Sequence, residues 1–264
     1  MATTGSAFDE LAAGYDSDFT HSIIGGVMRR AVWRRLEARF RPGDRVLEVN
    51  CGTGEDAVFL GHLGVHVLAT DLSAPMVELA RKKVAGAGLD NLVEVRPLAL
   101  EHLEDLDGLP FDGVLSNFGG LNCIADLPGL ARVLAARLHP GAFAVLCVMG
   151  PVVPWEWFWY LAHGRPGTAV RRLRRGGVAW RGITVRYPSI GALRRAFAPG
   201  FRVRRVGALG AILPPPFAES WAGRHPRLLD LLDRWERRLE AVPPLPWIAD
   251  HYLIELERRA GPGP

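Results

Sequence analysis

The stretch VLEVNCGTGEDAVFLGHLGVHVLATDLS, residues 46–73, sets a glycine-bearing turn after one apolar run and closes a second apolar run on an acid, Asp71. A strand, a tight turn, a helix and a second strand beside the first is the arrangement this order predicts, because parallel strands need a crossover between them. Gly52 and Gly54 carry no Cβ, so the backbone can turn sharply and approach a ligand closely. Amide groups at the start of the following helix are left pointing at that ligand. Open parallel sheets bind ligands at the carboxyl ends of their strands, where Asp71 is expected to accept hydrogen bonds from the two hydroxyls of a ribose.

The same alternation continues along the chain. A helix is expected at 28–40 and strands at 45–49, 65–70, 92–96, 113–116 and 142–149, with helices at 54–63, 74–85 and 127–138 between them. After Gly150 the pattern breaks into the aromatic PWEWFWYLAHG (154–164) and an arginine-rich run. The strand-like VAWRGITVRY (178–187), a helix after Ser189 and FRVRRVGAL (201–209) are expected to return to the sheet. The segment 248–259 reads as a last strand. The expected organisation is one domain over 1–264: a helical cover (1–40), a cofactor-binding core (41–150), and cap insertions at 151–177 and 213–247 that form the acceptor pocket.

Two cofactors compete for the glycine loop. A dinucleotide site calls for G-x-G-x-x-G, and Ala57 stands at the third glycine, a tolerated variant. Glu48 discriminates: an acid at the end of the first strand suits a cationic amino-acid group and repels a pyrophosphate. Residues 8–150, and above all VLEVNCGTGEDAVFLGHLGVHVLATDLSAPMVELARKK, resemble the class I S-adenosylmethionine-dependent methyltransferases, whose first motif reads E/D-x-G-x-G-x-G. The resemblance implies a Rossmann-like α/β fold with a mostly parallel seven-stranded sheet, helices on both faces and cap insertions. It implies S-adenosylmethionine as cofactor, with S-adenosylhomocysteine as product. By the family pattern, Glu48 acts on the methionyl amino end, Asn50, Cys51, Gly52, Thr53 and Gly54 line the cofactor, Asp71 holds the ribose, and Leu72 and Met76 pack on the adenine. Asn50 replaces the usual first glycine. Ala99 stands where the family often has an acid for the adenine amino group, leaving the backbone at Leu100, or Glu101, for that contact. Tyr15, in FDELAAGYD, is similar to a tyrosine that folds over the cofactor in the small-molecule branch.

The segment after the fourth strand bears on the acceptor. Asn117-Phe118-Gly119-Gly120 lacks the Asn/Asp-Pro-Pro-aromatic pattern of enzymes that methylate nucleic-acid bases, so a small molecule is expected and DNA is not. Asn117 is read as a contact to the cofactor's methionyl end, and Asn122 as a turn cap. No carboxylate cluster calls for a metal. Trp155, Trp159 and Tyr160 are expected to contact the acceptor, and His163 and His21 are candidates for a general base. No Asp or Glu lies between Glu156 and Glu219, while twelve arginines do, so an aromatic or anionic acceptor is expected. The same arginines keep an RNA methyltransferase as the alternative, beside a non-catalytic S-adenosylmethionine-binding protein. The expected activity is methylation of an oxygen or nitrogen of a small molecule, in secondary metabolism. With 48% hydrophobic residues in 264 the chain can bury a substantial core. Three scattered cysteines and the absence of a long apolar run predict a reduced, cytoplasmic protein with no transmembrane segment.

Overall fold

The computed structural model describes residues 8–10, 12–16, 22–106 and 108–260, leaving aside the side chains of Ala13, Glu101 and Phe217. Its elements in chain order are α1 (Ala12–Tyr15), α2 (Ile23–Arg39), β1 (Arg45–Val49), α3 (Glu55–His62), β2 (His66–Asp71), α4 (Ala74–Gly86), β3 (Val93–Pro97), β4 (Phe111–Ser116), α5 (Leu127–Arg137), β5 (Leu138–Met149), α6 (Pro154–Ala162), α7 (Pro166–Ala169), β6 (Val178–Trp180), β7 (Ile183–Val185), α8 (Ile190–Phe197), β8 (Phe201–Leu209), α9 (Glu219–Arg224), α10 (Pro226–Leu239) and β9 (His251–Arg258). Seven strands form one sheet in the order β3-β2-β1-β4-β5-β9-β8. β1 to β5 are parallel, and β9 runs antiparallel between β5 and β8. This is the Rossmann-like α/β fold.

The near-continuous apolar strands explain the two-sided packing, since central parallel strands are buried on both faces. One core layer joins α2, α3 and α4 to the sheet through Met28, Leu36, Leu60 and Val77. The other joins α5 and α8 through Leu130, Leu134, Leu193 and Phe197. Strand order reverses between β1 and β4, so the loops leaving β1, β2 and β4 open onto a common crevice, the place where such sheets bind ligands.

Four expectations need correction. The first long helix begins at Ile23 rather than Met28, capped by Ser22, whose hydroxyl accepts from Gly25 N at 3.0 Å; Gly25 and Gly26 had masked its periodicity. β5 starts at Leu138, four residues early. VAWRGITVRY does not return to the sheet: β6 and β7 form a separate antiparallel hairpin, turning at Arg181-Gly182, both at positive φ. Asn122 is more than a turn cap. Its Nδ2 donates to Arg186 O at 2.6 Å and Met149 O at 3.1 Å, while its Oδ1 accepts from Met149 N at 3.0 Å, so one buried amide fastens the hairpin to the end of β5.

Candidate functional site

At the crevice the turn after β1 takes the left-handed conformation three times, at Asn50 (φ 57°), Gly52 (φ 54°) and Gly54 (φ 80°). Asparagine tolerates that region better than other residues with a Cβ, which is how Asn50 can replace a glycine here. Gly54 has no such freedom: a Cβ would fall 2.8 Å from the Cβ of Ala80, so α3 could not start so close to α4. Asp71, at the tip of β2, clasps the loop. Its Oδ2 accepts from Gly52 N and its Oδ1 from Ser73 N, both at 2.9 Å. Burial pushes its carboxyl above the ordinary range, outweighing the backbone donors that pull it down.

These residues line a cavity of about 640 Å³. Of the cofactor residues read from sequence, Tyr15, Asn50, Cys51, Gly52, Thr53, Asp71, Leu72, Met76, Leu100 and Asn117 stand on its wall. Glu48, Gly54 and Ala99 do not. Glu48 is buried beneath the loop at 1% exposure, and its Oε2 has no hydrogen-bond partner. Ala99 sits between Leu98 and Leu100, which both face the cavity. Asn117 serves as a buttress: its Nδ2 donates to Asp56 Oδ2 at 2.9 Å and its Oδ1 accepts from Phe118 N at 3.0 Å.

Among the expected acceptor residues, Trp155, Trp159, Tyr160 and His163 are not brought to the cavity. Trp155 and Trp159 stand 47% and 44% exposed on the outer side of α6. His163 is exposed, with Nδ1 2.7 Å from Trp159 O and its ring against that indole. His21 lies outside the described residues, as does the Glu101 side chain. Besides Tyr15, the rings that line the cavity are Phe8, Phe118, Trp180 and Tyr187, joined by Ile124, Met149, Val178 and Val185. Phe8 packs on Trp180 with centroids 5.8 Å apart. Phe118, at φ 43°, meets the edge of the His251 ring on its far side.

Polar groups enter from α2 and the N-terminal segment. Arg29 is buried at 6% exposure, donates to Asp56 Oδ2 at 2.6 Å and lies 5.0 Å from the Phe118 ring centre. Asp56 Oδ1 also accepts from Trp33 Nε1 at 2.6 Å, so that carboxylate accepts from three side chains. Burial raises the Tyr15 phenol, outweighing Arg29, so it offers a neutral hydroxyl. Burial likewise drives the Cys51 thiol well up and the Cys123 thiol up to about 11, which leaves neither as a nucleophile at neutral pH. The N-terminal segment is fastened over the loop: Thr53 Oγ1 donates to Asp16 at 2.6 Å, Lys83 Nζ reaches Asp16 at 2.9 Å and Glu55 at 2.8 Å, and Ser73 Oγ reaches Asp9 at 2.6 Å.

The buried Glu48 has a stability consequence. Desolvation holds its carboxyl well above its ordinary value of 4.5, so the folded protein binds this proton more tightly than the unfolded chain. Its contribution is therefore most favourable at acid pH and is lost as pH rises above that value toward the folded one. Glu48→Gln should flatten this fall, giving a urea midpoint equal to the parent's at about pH 5 and higher than the parent's at about pH 8. A variant midpoint below the parent's at the higher pH would show that Glu48 is charged in the fold.

The donor set fits a ligand carrying ribose hydroxyls, an ammonium and a carboxylate. Asp71 faces the first, the buried Asn50 Oδ1 has no hydrogen-bond partner and can accept from the second, and Arg29 is a cation for the third. The family model described as "Methyltransferase domain" matches residues 46–141. A demethylmenaquinone methyltransferase from Clavibacter sepedonicus is 32% identical over 151 residues, 56% of this chain and 58% of that one. A ubiquinone/menaquinone biosynthesis C-methyltransferase UbiE from Geobacter sulfurreducens is 34% identical over 146 residues, 53% of this chain and 55% of that one. The chain thus spans just over half the length of these relatives. Among solved structures the [4+2]-cyclase SpnF has the same fold, with a TM-score of 0.65 over 97% of this chain and 95% of that one at 16% identity. Residues 46–141 thus match a methyltransferase domain, and through the strands, the glycine loop and the acid that closes β2 the chain resembles the class I S-adenosylmethionine-dependent methyltransferases.

Proposed function

We propose that the protein transfers the methyl group of S-adenosylmethionine to an oxygen or nitrogen of a small molecule with a flat, apolar body. The observation that carries the reading is one cavity lined both by Asp71 and residues 50–53 of the glycine loop and by the rings of Phe8, Phe118, Trp180 and Tyr187. When bound, the cofactor supplies an electrophilic methyl on a positive sulfur, and the transfer is an in-line displacement. What the protein must contribute is alignment and exclusion of water. Asp71 fixes the ribose end, Arg29 pairs with the methionyl carboxylate, and the aromatic rings enclose the acceptor and attract the sulfonium. Tyr15 holds its proton and acts as a donor. With the Cys51 and Cys123 thiols protonated and Asp56 engaged by Arg29, Trp33 and Asn117, the acceptor supplies its own nucleophile as an amine or a phenolate.

A carbon acceptor is the second reading, favoured by the likeness to a quinone-biosynthesis C-methyltransferase. One fold hosts unrelated chemistries, so the assay decides. Calorimetric titration with S-adenosylmethionine, S-adenosylhomocysteine and NAD should give micromolar binding of the first two and none of the third. An acceptor screen with methyl-labelled cofactor and NMR of the product then reads the atom. Trp180→Ala should raise KM for the acceptor about tenfold and leave cofactor affinity unchanged; a loss of cofactor affinity instead would place Trp180 against the cofactor.

A further inference from the structure

Helix α6 is amphipathic in the reverse sense. Its acid points inward, with Glu156 7% exposed, while Trp155, Phe158, Trp159 and Leu161 stand 47%, 73%, 44% and 56% exposed. A water-facing helix normally does the opposite. The inversion is enforced from within. Glu156 Oε1 accepts from Arg172 Nη2 at 2.6 Å and from Arg171 Nη2 at 2.9 Å, and its Oε2 accepts from Arg172 Nε at 3.2 Å. Arg172 also reaches Asp250 Oδ1 at 2.6 Å. Rotating α6 to hide its rings would strip these buried charges of their partners, which costs more than exposed rings do.

The surface continues beyond the helix. Val170 and Leu173 are 48% and 49% exposed, and the exposed Arg165, Arg174 and Arg175 border them with no acid in sequence from 157 to 218. Contiguous exposed rings at this density mark an interaction site. Charge selects the partner. A second copy docked through the same face would set arginine against arginine, because a two-fold interface pairs a surface with itself. An anionic lipid surface offers the complement to both parts, a boundary that accepts aromatic rings and headgroups that attract guanidinium groups.

We infer that α6 and the exposed part of the segment that follows it dock the protein on an anionic bilayer surface, with the rings entering the interface and Arg165, Arg174 and Arg175 meeting the headgroups. Arg171 touches Glu156 on this side and lines the cavity on the other. An apolar acceptor dissolved in the bilayer would therefore enter next to its site.

Flotation of the full chain with phosphatidylglycerol vesicles, with phosphatidylcholine vesicles as control, tests this. The protein should float with the anionic vesicles and lose that association at high salt. Phe158→Ser/Leu161→Ser changes only exposed side chains, so its thermal midpoint should match the parent's while its partitioning falls roughly tenfold. Equal flotation of the double variant and the parent would mean that charge alone holds the protein, and would overturn the inference. So would absence of flotation, or a parent dimer in sedimentation that the double variant dissociates.

Discussion

Asp71→Ala should bind S-adenosylmethionine about 100-fold more weakly than the parent while remaining folded, because it removes a carboxylate poised to take two charge-assisted hydrogen bonds from ribose hydroxyls. Calorimetric titration reads the affinity and circular dichroism the fold. The same carboxylate predicts a pH effect. Burial raises its proton affinity, and only the ionised form accepts from every donor around it. Cofactor affinity should thus decline with acidification starting above the ordinary aspartate range. Asp71→Asn should not rescue binding, since its amide NH2 would meet either Gly52 N or Ser73 N, both donors already aimed at this side chain. Unchanged affinity in Asp71→Ala would remove the ribose role and the cofactor placement built on it.

Arg172→Ala should lower stability by about 3 to 5 kcal/mol, the usual penalty for leaving a buried charge without its partner. In a chain of this size that corresponds to a thermal midpoint lower by roughly 10 °C. Arg172 is the centre of a buried network: it reaches Glu156 through two nitrogens, Asp250 through side chain and backbone, and Gly150 O. Burial alone would raise the Asp250 carboxyl. Facing His251 and Arg172 outweigh it and hold Asp250 well below the ordinary carboxylate range. The folded value lies below the unfolded one, so this stabilisation is fully present above the ordinary aspartate value and is lost as pH falls from there through the lower folded value. The variant should therefore lose most at neutral pH and least in acid. Equal losses at both would assign the effect to packing rather than charge.

The range of each interaction set how much of the molecule was legible in the sequence. Strands β1 to β5, the glycine turn and Asp71 could be read directly, because two-residue and 3.6-residue periodicities and the backbone demands of a tight turn act between near neighbours. Ten of the residues read from motif and resemblance do line one cavity. Most of the aromatic lining of that cavity was not legible. Phe8, Phe118 and the pair Trp180 and Tyr187 come from three separate segments, and the only local hint was the strand alternation around Trp180 and Tyr187, read as part of the main sheet. The isolated hairpin of β6 and β7 depends on Asn122, some sixty residues upstream, whose amide pins Arg186.

The aromatic run 154–160 shows the limit most sharply. Its composition announced an interaction surface, and the expectation aimed it into the cavity. A helix's rotation about its axis is not set by its aromatic content but by what its neighbours require. Glu156, a lone acid among rings, is drawn inward by Arg172, which Asp250 holds from the other side in the folded chain. The sequence by itself determined strands β1 to β5, the glycine loop and the acid that closes β2, since each rests on local backbone geometry and patterning. Only the tertiary structure decided which rings line the cavity and which face outward, because that choice is made by buried charges and a buried amide distant in sequence, whose desolvation must be compensated wherever they meet.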